Sequence, residues 1–234
     1  MQANGVSVVL VHGAWADGSS WSKIITKLVA DGIEVVAAPL PLTSFREDVA
    51  ALDRTLERMK GPVVLAAHAY AGAVIGATRN ETVKALIYVA ALAPDEGETV
   101  ADVFYRGNPH PEAPKLAPDD HGLIYLPDTA FGTAFAQNAA AEELAVLRAV
   151  QRPLSPSCIT VPMERPLWRD RPTWYLVAEQ DRMIVAENQR FMAERMQARM
   201  RSHPTDHAPL VSAPSLVLDV LREAIEAVRA ESPA

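Results

Sequence analysis

The run VVLAAHAYAGAVIG at residues 63–76 carries no charge, and its only polar side chains are one histidine and one tyrosine. Its β-branched first part fits a strand buried on both faces, and its small-residue second part fits a helix that leaves the strand through a tight turn. Ala67 and Ala71 flank the turn and let the two backbones pass closely, and Gly72 follows where the helix begins. A buried strand that feeds directly into a helix belongs to a parallel sheet with helices on both faces, which excludes most all-β and all-helical architectures.

The rest of the chain repeats this rhythm. Apolar strands are expected at 6–11, 33–38, 83–91 and 173–178, with a short one near 200–203. Helical spacing is expected at 21–31, 45–59, 71–79, 187–196 and 215–230. The regularity breaks at Pro94. Residues 95–171 are rich in proline and acidic residues, with short helical stretches near 99–105, 130–138 and 141–151. The fold class is therefore α/β, a doubly wound and mostly parallel sheet. Residues 1–94 and 172–234 form the core, and residues 95–171 form an inserted helical cap.

Composition narrows the function. The 234 residues are 49% hydrophobic, enough for one full α/β core. The net charge of −7, with both signs interspersed, supplies no basic patch for nucleic acid and no attraction to an anionic membrane. The stretch MQANGVSVVLVHG has no basic region and reads as neither a signal peptide nor a membrane span. A single cysteine, Cys158, leaves no internal disulfide and fits a reducing cytoplasm. Glycine-rich phosphate loops, a dinucleotide fingerprint and metal-ligand spacing are all missing from the sequence, and His110 and His121 are separated by proline-rich chain, so no cofactor and no metal are expected. The expected partner is a small-molecule substrate. The sequence does not set the oligomeric state; a homodimer through the cap is one arrangement.

Four segments together carry a family resemblance: VLVHGAWADGSSW near the N-terminus, AAHAYAGAVIG, AEQDRMI after the late strand, and SHPTDHAPLVSAP near the C-terminus. In this order the chain resembles the α/β-hydrolase superfamily, and its spacing is similar to small bacterial esterase-like members and to the plant methylesterase and hydroxynitrile lyase group. The resemblance implies a nucleophile elbow at 67–71, with the nucleophile at position 69. It also implies Asp181 as the acid and His207 as the base. From spacing alone, His203 and Asp206 are close alternatives. The backbone amides of Ala14 and Tyr70 would form an oxyanion hole. His68 precedes the nucleophile position, and Trp15, His68, Phe104, Tyr125 and Trp168 are expected to line the substrate pocket. Trp21 fits the core equally well, and Cys158 is read as a packing residue of the cap.

One departure from the family bears directly on chemistry: position 69 is alanine. A methyl group cannot attack a carbonyl, so an acyl-enzyme at this position is excluded. Two origins for Ala69 stay open, an engineered knockout and natural replacement. The family's flanking glycines are also alanine here, at 67 and 71, which points to drift of the whole elbow. Three classes of function follow. The first is an enzyme acting on a small, mainly apolar ester or carbonyl compound through the His207–Asp181 dyad and the oxyanion hole, by hydrolysis or as a cofactor-free lyase or oxygenase. The second is a ligand-binding pseudoenzyme, and the third a scaffold.

Overall fold

A computed structural model describes residues 5–231. Residues 1–4, part of the stretch read as carrying no signal, lie outside the described residues. Six strands form one parallel sheet: β1 (Ser7–Val11), β2 (Val35–Ala38), β3 (Val63–His68), β4 (Val83–Val89), β5 (Thr173–Ala178) and β6 (Arg199–His203), in the order β2-β1-β3-β4-β5-β6. Strands β1, β3 and β5 are buried along their whole length, as uninterrupted apolar runs require when both faces are covered.

The chain runs β1 to β2 in one direction across the sheet, then returns past β1 to β3. Right-handed crossovers in opposite directions place the connecting helices on opposite faces. These are α1 (Ser22–Ala30), which buries Ile24 and Leu28, and α2 (Phe45–Leu56), which buries Phe45, Leu52 and Leu56. Helix α2 starts where Ser44 caps the backbone amide of Glu47 and acidic Glu47 and Asp48 occupy the first turn. Helix α3 (Ala71–Ala77) follows β3, and its first six residues are buried. The reversal of strand order puts the C-terminal ends of β1 and β3 side by side, with Val11 registered against Ala67. A crevice at such a point is where open α/β sheets hold their ligands.

Between β4 and β5 the chain contributes no strand to the sheet. It contains three short α-helices: α4 (Val100–Phe104), closed at its start by a Thr99–Asp102 capping box; α5 (Asp128–Ala130), continued by a wide helical turn over Phe131–Phe135; and α6 (Ala141–Ala149). Antiparallel bridges pair Ile124 with Pro118 and with Leu154. After β5 come α7 (Ala186–Arg195), α8 (Pro209–Ser212) and the 18-residue α9 (Pro214–Glu231), which packs against β3, β4 and β5. The observed elements start and stop within a few residues of the sequence expectations. No helix among the described residues is long and apolar enough to cross a membrane.

Candidate active site

The turn between β3 and α3 is strained. Ala69 has φ +51°, a left-handed conformation that costs a non-glycine residue about 1–3 kcal/mol. It is held there from both sides: its carbonyl accepts from the Gly72 amide at 3.1 Å and from the Leu92 amide at 2.9 Å. Gly72 is required at this crossing, because a Cβ there would lie 2.4 Å from the Leu92 carbonyl oxygen and 2.9 Å from the Ala91 Cβ. The alanine-rich sequence thus becomes a sharp bend that lifts residue 69 into the crevice, where its side chain lines a cavity.

Asp181 and His207, 26 residues apart in sequence, meet in the same place. Nδ1 of His207 lies 2.8 Å from Oδ2 of Asp181, and both side chains are buried. The Asp181 carboxylate also accepts from the Met183 amide at 2.7 Å, the Ile184 amide at 2.8 Å and Nε2 of Gln189 at 2.8 Å. The Gln189 amide is oriented in turn by the Ala178 amide, which donates to its Oε1 at 2.9 Å. With every acceptor direction of Asp181 used, the His207 proton sits on Nδ1. Nε2 is left with a lone pair on a ring that lines the same cavity as Ala69. His203 and Asp206 do not form this pair. The Asp206 carboxylate accepts from the Asn138 and Ala208 amides and from Ser212 Oγ, tying the segment just before α6 to the His207 loop.

Two further histidines shape the site without entering it. His12 is buried at the end of β1; its Nε2 accepts from the Leu40 amide at 3.0 Å, so Nδ1 carries the proton and donates to the Gly13 carbonyl at 2.9 Å. His68 donates through Nε2 to the His207 carbonyl at 2.7 Å, and its ring lies 4.8 Å from the His207 ring. Burial holds both His12 and His68 below the ordinary histidine pKa, His68 the more strongly. Gly13 passes so close to the elbow that a Cβ there would meet the Ala69 Cβ at 2.9 Å. Ala14 and Tyr70 line the same cavity as Ala69. Among the described residues, neither of their backbone amides donates a hydrogen bond.

The cavity, about 70 Å³, is walled by apolar side chains, including Trp15, Leu92, Phe104, Ile124 and Met183. The Trp15 indole N–H is occupied by the Ile124 carbonyl at 3.0 Å and the Tyr70 hydroxyl by Asp48 at 2.7 Å, which leaves the His207 ring and the Tyr105 hydroxyl as polar side-chain groups of the lining that those bonds do not occupy. Of the residues expected to line the pocket, Trp15 and Phe104 do so. Three do not. Tyr125 points to solvent, 47% exposed, because Ile124 and Leu126 on either side are buried and extended chain alternates its faces. Trp168 is wedged beside the exit of β4, its indole N–H donating to the Pro94 carbonyl at 3.3 Å. His68 packs behind His207. Trp21 is fully buried in the core.

A buried cluster behind the cavity was invisible in the sequence. Asp48 on α2 accepts from the Leu42 amide at 2.7 Å and from the Tyr70 hydroxyl, and the Cys158 thiol lies 3.6 Å from it. Burial raises the Asp48 pKa against these hydrogen bonds, and burial together with Asp48 pushes the Cys158 thiol up to about 12. Cys158 is thus an inert packing residue.

Residues 8–220 match the model of the alpha/beta hydrolase family, and the chain belongs to that family. Among solved structures, the chain is similar to a pyrethroid hydrolase from Sphingobium faniae JZ-2, with 22% identity, a TM-score of 0.82, and coverage of 95% of this chain and 98% of that one. It is also similar to polyneuridine aldehyde esterase, with 19% identity, a TM-score of 0.77, and coverage of 94% and 98%. A variant of tomato methylketone synthase I complexed with beta-ketoheptanoate shares 18% identity, with a TM-score of 0.78 and coverage of 95% and 98%. No curated protein matches the chain.

Proposed function

We propose that this protein is an enzyme acting on a small, mainly apolar molecule that contains an ester or another carbonyl group. His207 works as the general base, Asp181 orients it and stabilises its protonated form, and the Ala14 and Tyr70 amides receive the developing oxyanion. Residues 95–171 act as the cap. Ala69 stands at the nucleophile position, so the reaction proceeds without a covalent intermediate: His207 takes a proton from a water that attacks the carbonyl, or from a carbon next to it. The observation that carries this reading is the Nδ1 bond of His207 to Asp181 at 2.8 Å, on a ring whose other nitrogen serves the cavity beneath the Ala69 turn.

Ala69 also favours a second reading, carbon–carbon cleavage through an enolate. A β-keto acid loses carbon dioxide with its bonding electrons retained as an enolate, which needs oxyanion donors and a proton source but no nucleophile. Beta-ketoheptanoate, the compound in the methylketone synthase structure, is a β-keto acid. Assays of short activated esters, lactones and β-keto acids, with His207→Ala as control, test both readings. Turnover of one class that drops by about 10³-fold or more in His207→Ala supports a catalytic role for His207 on that class, as base for esters and lactones and as proton donor to the enolate for β-keto acids. Ligand binding without turnover, unchanged in His207→Ala, overturns both and makes the chain a binding protein.

A further inference from the structure

A second, larger cavity adjoins the first. It is a partly open chamber of about 490 Å³, walled by Gly107, Asn108, Pro109, His110, Pro111, Ala113, Pro114 and Lys115 from one arch of chain, together with Val185 and Asn188. Phe104, Tyr105, Leu116 and Met183 line both cavities, so the two chambers share one apolar partition.

The arch is tied down at two points, one just before it and one within it. The Arg106 guanidinium stacks 3.6 Å above the Phe191 ring on α7, and Glu112 is paired with Arg182. Three prolines stiffen the chain between Gly107 and Lys115. The outer chamber is therefore preformed. Its partition carries Phe104 and Tyr105 packed edge to face at 4.9 Å, and its prolines present flat apolar surfaces, a lining suited to a ring. Among the described residues, no carboxylate lines either chamber.

We propose that the outer chamber is a second binding site, which takes the ring-bearing remote half of a two-part substrate while the carbonyl end occupies the inner cavity beside His207. This rests on the function proposed above for which half faces His207. The inner cavity is the smaller by far, so selection is strict for the group next to the carbonyl and permissive for the remote ring.

Non-reacting ketones test this by calorimetry, independently of turnover. 2-Butanone fits the inner cavity alone; 4-phenyl-2-butanone adds a ring two carbons away; ethylbenzene keeps the ring without the carbonyl. The ring is expected to raise ketone affinity at least about tenfold. Asn108→Trp and Lys115→Trp place bulk in the outer chamber at exposed positions outside the inner cavity. In either variant the tenfold gain should vanish while 2-butanone binds as before. A gain that survives both variants, or no gain at all beside normal 2-butanone binding, overturns the second site and leaves the proposed function standing. Ethylbenzene bound in a variant-sensitive way with neither ketone showing any gain from its carbonyl supports the chamber and counts against the carbonyl reading. Failure of all three to bind overturns both.

Discussion

His68 donates from Nε2 to the backbone carbonyl of His207 at 2.7 Å, so the residue preceding the strained turn holds the loop that presents the proposed base. The bond links the C-terminal end of β3 to a loop 139 residues later. Burial of the ring holds His68 in its neutral form, against this hydrogen bond, which favours the charged one.

The first prediction follows from that enclosure. His12 and His68 both have folded pKa values below the ordinary 6.5, so below about pH 6.5 the unfolded chain binds more protons than the folded one. Stability is complete above that pH and falls as pH drops below it, by up to about 1.4 kcal/mol per pH unit for each histidine. Asp48 and Asp206, with raised values, act in the opposite sense and recover part of the loss at lower pH. Urea midpoints at pH 7.5 and 5.5 measure the slope, and His68→Phe should flatten it. A slope as steep in that variant as in the parent chain would show that His68 does not contribute.

The turn makes a second prediction. Gly72→Ala drives a Cβ to 2.4 Å from the Leu92 carbonyl oxygen, on the residue whose amide holds Ala69 in place. A loss of about 2 kcal/mol or more is expected. Gly76→Ala, in the same helix, meets nothing closer than the Tyr88 hydroxyl at 3.5 Å and should be neutral or stabilising by up to about 1 kcal/mol. Denaturant titration of the pair separates steric strain from helix propensity.

How much of this was legible in the sequence depends on the range of the interaction. The parallel α/β class and the turn at residue 69 could be anticipated because residues 63–76 encode a buried strand that passes straight into a helix, through an apolar run followed by small residues, whereas the strand order rests on contacts between distant segments. Asp181 and His207 were reached by family order, since nothing in their spacing distinguishes His207 from His203. The Asp48–Tyr70–Cys158 cluster joins residues 22 and 110 positions apart, and Gln189 reads as one more polar helix residue. Tyr125 was misplaced because aromatic content alone does not say which face of an extended segment is turned inward.

Tyr70→Phe supplies the third prediction. The substitution removes the 2.7 Å hydrogen bond to Asp48, which is one of the forces opposing the rise in the Asp48 pKa. Its loss raises that folded pKa further. Because stability from a raised acid is lost as pH rises through its folded value, the variant should be destabilised by about 1–3 kcal/mol, and more at pH 8 than at pH 5. Adding Asp48→Asn should remove the pH dependence of the difference. Equal destabilisation at both pH values would place the effect in packing rather than in the carboxylate.

The central claim is that His207, paired with Asp181, is a working base beneath a turn that lacks only a nucleophile. Hydrolysis of short activated esters by this chain and by Ala69→Ser, each with and without His207→Ala, tests it most directly. The account predicts that the serine chain hydrolyses esters at least about 10³-fold faster than the alanine chain, and that His207→Ala abolishes the gain. A folded Ala69→Ser with no gain, or a gain that persists without His207, would contradict it.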